Sequence, residues 1–212
     1  MAQFQNIHAT YVKVMNGLFL TKTTPEKSNY EYTNKHTGQK QYFYGTNGFQ
    51  GTIHDITIED SDFGKNYIFH IIDENGEPFK MVMMYGSGVA QGFLNALAAV
   101  AEEHGKIGFL KMTASVKVKD DKSYTSIWIA KNGRESYKWK YPIEELPIVK
   151  KTVKRSGKVE VDDEDRLAKF DEILEKEILP ALKPIGKAEA ALGLNEDAPE
   201  MSHVDDGEDI PF

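Results

Sequence analysis

The chain has no cysteine. That excludes a disulfide framework, a thiolate zinc site and a cysteine nucleophile together. It also has no run of 18 or more apolar residues, so no segment reads as a membrane-crossing helix, and its opening, MAQFQNIHATYVKV, lacks the charged-then-apolar order of a secretory signal. The expectation is a soluble, cytoplasmic protein with no membrane partner. Nucleotide and hydrolase signatures are missing as well: there is no GxxxxGK[ST], GxSxG, HExxH or EF-hand loop. The six histidines, His8, His36, His54, His70, His104 and His203, are scattered, and none has a partner at metal-ligand spacing. Asp60, Asp62 and the pair Asp73-Glu74 could supply carboxylates to a divalent cation, yet they fall where turns are expected. A binding protein with no cofactor and no metal is the expectation, rather than an enzyme.

Positive charge is absent from the end of the chain, where acids are concentrated. The last 25 residues hold eight acids and no lysine or arginine, whereas residues 1–187 hold all 26 basic residues against the remaining 25 acids. The net charge of −7 therefore describes a near-neutral body and an acidic tail, not a uniformly acidic surface. With 40% hydrophobic residues among 212, the body is large enough for one sizeable core. From Glu196 onward the composition is polar and acidic, and reads as disordered.

Hydropathy periods order the body. Residues 1–48 read as a β extension: Tyr11 to Val14 and Leu18 to Leu20 around Asn16-Gly17, then Tyr30 to Tyr32 and Gln41 to Tyr44 around a polar turn. The second hairpin is expected to gather its tyrosines on one face beside Lys35 and Lys40. Three strands follow, Ile53 to Ile58, Tyr67 to Ile72 and Phe79 to Tyr85, the last two joined at Asn75-Gly76. Gly86-Ser87-Gly88 then opens a helix in which Val89, Phe93, Leu94, Leu97, Val100 and Ala101 recur at helical spacing up to Gly105. Two further strands complete the set. In one, Leu110, Met112, Ala114, Val116 and Val118 alternate with Lys111, Thr113, Ser115, Lys117 and Lys119; in the other, Thr125, Ile127 and Ile129 alternate with Tyr124, Ser126, Trp128 and Ala130. A helix between the third and fourth of five strands is the order of an OB-fold, a small Greek-key barrel that commonly binds oligonucleotides. The fold class expected is mainly β: an OB barrel over residues 49–148 with an N-terminal β extension.

Residues 149–187 read as a basic loop, Lys150-Lys151 to Lys158, followed by a helix carrying Leu167, Phe170, Ile173, Leu174, Ile178 and Leu182, with the acids Glu160 to Asp165 favoured near its N-terminus. Residues 188–212 form the disordered tail. Before the helix, Tyr137-Lys138-Trp139-Lys140-Tyr141 alternates rings and cations, so an extended chain there would put three rings on one side.

A single strand exposes phosphates and base faces, so a groove for it needs cations along the track and flat rings for stacking, each stacked base contributing about 1–3 kcal/mol. The candidates are the cations Lys40, Lys65, Lys111, Lys117, Lys119, Lys138 and Lys140 and the rings Tyr42, Tyr44, Tyr124, Trp128, Tyr137 and Trp139.

The chain ends Asp205-Asp206-Gly207-Glu208-Asp209-Ile210-Pro211-Phe212. An acidic run closed by Asp-Ile-Pro-Phe resembles the tail of the bacterial single-stranded-DNA-binding proteins, the SSB family, in which it follows an OB-fold. The resemblance is direct for these eight residues and architectural for 49–130. The helix after the barrel and the extension before it are more similar to the divergent SSBs of phages. What the resemblance implies is binding of single-stranded DNA in replication, recombination and repair without strong sequence preference, and docking of polymerase, helicase, primase or nuclease partners on Asp205, Asp206, Glu208, Asp209, Ile210, Pro211 and Phe212. The tetramer of bacterial SSB is not carried over, although a homo-oligomer fits. A tethered run of about eight negative charges is also expected to compete with DNA for a basic groove. The alternative is an OB-fold adaptor for RNA or protein that carries an SSB-type docking tail.

Overall fold

Eleven strands and two helices account for most of the residues that the computed structural model describes, namely 9–34, 37–61, 64–120, 122–131, 135–154 and 159–182. The strands are β1 (Thr10–Met15), β2 (Leu18–Lys22), β3 (Tyr30–Thr33), β4 (Lys40–Thr46), β5 (Gly48–Ser61), β6 (Gly64–Asp73), β7 (Pro78–Met84), β8 (Phe109–Lys119), β9 (Lys122–Ile129), β10 (Lys150–Val153) and β11 (Val159–Asp162); the helices are α1 (Gly88–His104) and α2 (Glu164–Ile173). The molecule is mainly β, as expected. Its main sheet has nine strands in the order β3-β4-β2-β1-β7-β6-β5-β8-β9, so the five strands expected from the sequence form only part of a larger sheet.

The N-terminal strands are built into that sheet rather than appended to it. β1 pairs in parallel with β7, Val12 facing Met81, and in antiparallel with β2. β4 and β5 are separated in sequence by Asn47 alone, yet they stand second and seventh in the sheet order, so the sheet has to curl back on itself. The curl is visible inside, where Phe19 of β2, Phe49 of β5 and Phe79 of β7 meet with ring centroids 5.5 and 5.2 Å apart. Gly17, in the β1–β2 turn at φ +73°, lies so close to β8 that a Cβ would come 2.8 Å from the Val116 nitrogen. Asn47 accepts a hydrogen bond from the Ala114 backbone at 2.8 Å. β5 is also longer than the alternation of Ile53 to Ile58 indicated. A bulge at His54 lets Ile53 and Ile56, three apart, face Ile71 and Phe69 of β6 on the same side.

α1 is bounded as its sequence dictates. The Ser87 hydroxyl caps it by accepting from the Ala90 amide, and Gly105, at φ +65°, closes it with a bond to Ala101. Phe93 packs on Phe69 with centroids 5.1 Å apart, burying side chains each worth about 1.5–3 kcal/mol. The helix is buried on more than one side, because Gln91, Asn95 and Ala98 are buried along with the apolar stripe. Its second cover is α2 and the chain segment 137–146.

α2 does not fray at its end. It continues as a π turn over Leu174–Ile178 and a 3-10 turn over Leu179–Ala181, and Leu182 is buried and bridged to Ile107. Pro180 stops the helix without loosening it. Asp171 holds α2 to the sheet: its two carboxylate oxygens accept from Tyr67 at 3.2 Å and Tyr85 at 2.5 Å, and the two rings lie 4.9 Å apart. Part of the basic loop expected after residue 149 is a separate two-stranded hairpin, β10 with β11, whose remaining loop, 155–158, lies outside the described residues.

Asp171→Ala is expected to cost about 1–3 kcal/mol in a denaturant titration, because the buried Tyr67 hydroxyl loses its acceptor. Burial, reinforced by the Asp171 carboxylate, raises the pKa of both tyrosines above the usual value. A raised phenol pKa means the unfolded chain releases those protons first, so stability should hold below pH of about 10 and fall as pH rises beyond it. Tyr85→Phe should flatten that alkaline limb.

Candidate nucleic-acid interface

Strand register decides which candidates share a face. β8 and β9 pair in antiparallel with Thr113 opposite Trp128, Ser115 opposite Ser126, Lys117 opposite Tyr124 and Lys119 opposite Lys122. Alternation then puts Lys111, Thr113, Ser115, Lys117, Lys119, Lys122, Tyr124, Ser126 and Trp128 on one side, while Leu110, Met112, Ala114, Ile127 and Ile129 on the other are buried in the core. Five of the sequence candidates, Lys111, Lys117, Lys119, Tyr124 and Trp128, thus form one surface. It carries four lysines and no acid.

The surface is arranged as well as basic. Trp128 is 48% exposed, and its indole Nε1 donates to the Ser115 hydroxyl across the hairpin at 2.7 Å. The bond fixes the ring's direction before anything binds, which lowers the entropy lost when a flat group stacks on it. Tyr124 and Trp128 are four residues apart on one strand, a spacing of about 13 Å. Lys111, Lys117, Lys119 and Lys122 are exposed, and none has a carboxylate partner among the described residues. Lys119 and Lys122 face each other directly, a like-charge pairing that costs stability unless an anion lies nearby.

Two members of this face were missed by the sequence reading. Lys122 begins β9 rather than belonging to the turn, and Phe109, 50% exposed, precedes Lys111 by one strand period. Both continue the alternation already visible in each strand.

The other candidates lie elsewhere. The expected gathering of hairpin tyrosines is overturned by register: Tyr30 faces Phe43 and Tyr32 faces Gln41, whereas Tyr42 is opposite Glu31, so the tyrosines of the two arms occupy opposite faces. Lys40, Tyr42 and Tyr44 are on β4, and Lys40 is paired with Glu31 at 2.8 Å. Lys35 lies outside the described residues. Lys65, at the start of β6, sits with its ammonium 5.9 Å from the Tyr85 ring.

The segment Tyr137 to Tyr141 is a strap across α1, not a strand with free rings. Tyr137 meets His104, hydroxyl to Nε2 at 2.6 Å, and packs on the core. Trp139 lies over Gly92, where a side chain would meet its ring at 3.2 Å. The Asn95 side chain clamps the Tyr141 backbone, donating to its carbonyl at 2.7 Å and accepting from its amide at 2.9 Å. Lys138 is exposed, but Lys140 is used internally, bridging Glu177 at 3.0 Å and Glu102 at 3.2 Å. Partial burial disfavours its ammonium, and the two carboxylates outweigh that and hold its pKa above the usual value. Tyr137, Lys140 and Tyr141 are thus taken up by packing and ion pairs, while Lys138 is exposed and Trp139 half-exposed. Among the described residues there is no cluster of three or more groups able to hold a metal, and Asp62 lies outside them. Asp205 to Phe212 also lie outside them.

Lys140→Met is expected to lower stability by about 1–2 kcal/mol, since it takes the cation from the part-buried Glu177, whereas Lys117→Met should change it by less than about 0.5 kcal/mol. Thermal melts of the two variants side by side check this.

No protein-family model, no curated protein and no solved structure matches the chain.

Proposed function

We propose that the protein binds single-stranded DNA on the outer face of β8 and β9, by occupancy and not by catalysis. The observation that carries this reading is the register that sets Lys117 against Tyr124, and Lys119 against Lys122, on an acid-free face that also holds the oriented Trp128 ring. Cations without partners suit a phosphate chain, and rings at strand spacing suit bases that are not paired to one another. Duplex DNA offers its phosphates but hides its base faces, so it should bind more weakly.

The fold supports the same reading. β5, β6 and β7 form a meander, α1 follows, and β8 and β9 pair beside β5, in the strand order of an OB barrel. The edge of β7 that such a barrel closes with its last strand in parallel is here closed in parallel by β1. On this reading the acidic, Phe-terminated tail recruits replication or recombination proteins, since Ile210 and Phe212 can fill an apolar pocket while basic residues of the partner take the acids and the terminal carboxylate.

Titration with oligo-dT, duplex DNA and oligo-U at several salt concentrations tests the proposal. Oligo-dT should bind most tightly, with a log–log salt slope of about −0.7 per phosphate contacted. Trp128→Ala should weaken binding by the equivalent of about 1–3 kcal/mol, and Lys117→Ala should reduce the slope by about 0.7 without altering the fold. Unchanged affinity in both variants would move the site off this face, and preference for oligo-U would favour an RNA adaptor.

A further inference from the structure

Asn16, Asn47, Asn75 and Asn132 each precede a glycine. Such a pair loses its side-chain amide readily, because a following residue without Cβ lets its backbone nitrogen reach the asparagine side chain. Whether folding permits that reaction depends on what holds the two groups. Asn132 lies outside the described residues. Asn16 is held twice: its Nδ2 donates to the Tyr30 hydroxyl at 2.7 Å, and the Gly17 amide donates to Thr125 Oγ1 at 3.4 Å. Asp73 holds Asn75 in the same way, its carboxylate accepting from Asn75 Nδ2 at 3.2 Å and its carbonyl from the Gly76 amide at 3.2 Å.

Asn47 differs on both counts. It is exposed, and its side chain makes no hydrogen bond among the described residues. Its carbonyl accepts from the Ala114 amide, while Gly48 pairs with Thr113. In an antiparallel ladder those two facts make Gly48 and Thr113 a pair that exchanges no hydrogen bonds, so the Gly48 amide points away from β8. On the other side β4 leaves β2 at Thr46, and β6 first meets β5 at Gly51, so that amide has no ladder acceptor among the described residues. The chain bends here, and the Thr46 hydroxyl donates to the Gly48 carbonyl at 2.7 Å. Nor does the backbone demand glycine at 48. A Cβ there would meet nothing within 4 Å and φ is not positive, whereas Gly17 and Gly76 sit at φ +73° and +84°.

We propose that Asn47-Gly48 is a deamidation site whose isoaspartyl product loosens the joint between β4 and β5. The Gly48 nitrogen attacks Asn47 Cγ; the N–Cγ bond forms, the Cγ–Nδ2 bond breaks, and ammonia leaves with the former amide proton. Water then opens the five-membered imide at either carbonyl. One opening gives aspartate, and the other gives isoaspartate, in which the main chain runs through the side-chain carbon and is one carbon longer. A loop absorbs such a carbon, but here a single residue spans two strands that stand five places apart in the sheet, so the curl itself has to give. The site is independent of DNA binding.

Ageing the full-length chain at mildly alkaline pH, followed by peptide mapping in a mass spectrometer, tests this. Asn47 should convert at least about fivefold faster than Asn16 and Asn75, whose hydrogen bonds must open first. Gly48→Ala, whose Cβ has room, should slow conversion at Asn47 by about fivefold or more and leave the melt of the fresh protein unchanged. The fraction deamidated at Asn47 alone, separated by its extra charge, should melt at least about 3 °C below Asn47→Asp, which has the same charge but the ordinary backbone. Equal rates at the three asparagines, a wild-type rate in Gly48→Ala, or an aged fraction that melts with Asn47→Asp overturns the proposal.

Discussion

A single residue, Asn47, joins two strands that the sheet keeps five places apart, and the rest of the architecture follows from that constraint. For β4 and β5 to be continuous and yet pair with different neighbours, the sheet must curl until its distant strands meet. Curling brings Phe19, Phe49 and Phe79 together, gives β1 the free edge of β7, and presses the β1–β2 turn against β8 so closely that only glycine fits at position 17. The curl also leaves an inner face too broad to close on itself. α1 fills it, with Phe93 against Phe69, and α2 and the 137–146 strap cover what α1 leaves exposed.

The polar contacts of this layer bind its parts to one another and, at one point, to the sheet. Asp171 joins α2 to Tyr67 and Tyr85, Glu177 joins the π turn to Tyr141 and Lys140, and Asn95 joins α1 to the strap. A π turn widens the helix by one residue per turn, and here it is the turn that presents Glu177 to the strap. Tyr137, Lys140 and Tyr141 of the strap are therefore employed in holding the helical layer down, while Lys138 is exposed and Trp139 half-exposed. The aromatic and basic residues of β8 and β9 are not so employed. The apolar faces of these two strands are spent on the core, and among the described residues their opposite faces have no covering element, which is why the lysines without a carboxylate partner there and the oriented Trp128 occur together on these strands and not along the strap.

Much of this was legible in the chain. Strict alternation in Leu110 to Lys119 identified β8 and its basic face, Ser87 and Gly105 marked the ends of α1, and Asn75-Gly76 marked the β6–β7 turn. The N-terminal strands were legible as strands but not as partners of β7, because a parallel pairing across 69 residues leaves no local trace. The gathering of Tyr30 and Tyr32 with Tyr42 and Tyr44 failed on register, since a strand's period of two says which residues share a face but not which residue of the neighbour lies opposite. The alternation of Tyr137 to Tyr141 read equally as a stacking platform or as packing, and only the position of α1 beneath it decided.

The sequence by itself determined the local elements, the near-neutral body with its acidic end, and the two strands whose cations and rings alternate with core residues. These depend on side-chain periodicity and charge, which are local properties. Tertiary structure alone decided which cations remain unpaired: Lys40 and Lys140 meet Glu31, Glu102 and Glu177, while Lys111, Lys117, Lys119 and Lys122 meet none among the described residues. The physical reason is that a charge's availability depends on what folding brings within a few ångströms of it, and those neighbours come from strands and helices far away in the chain.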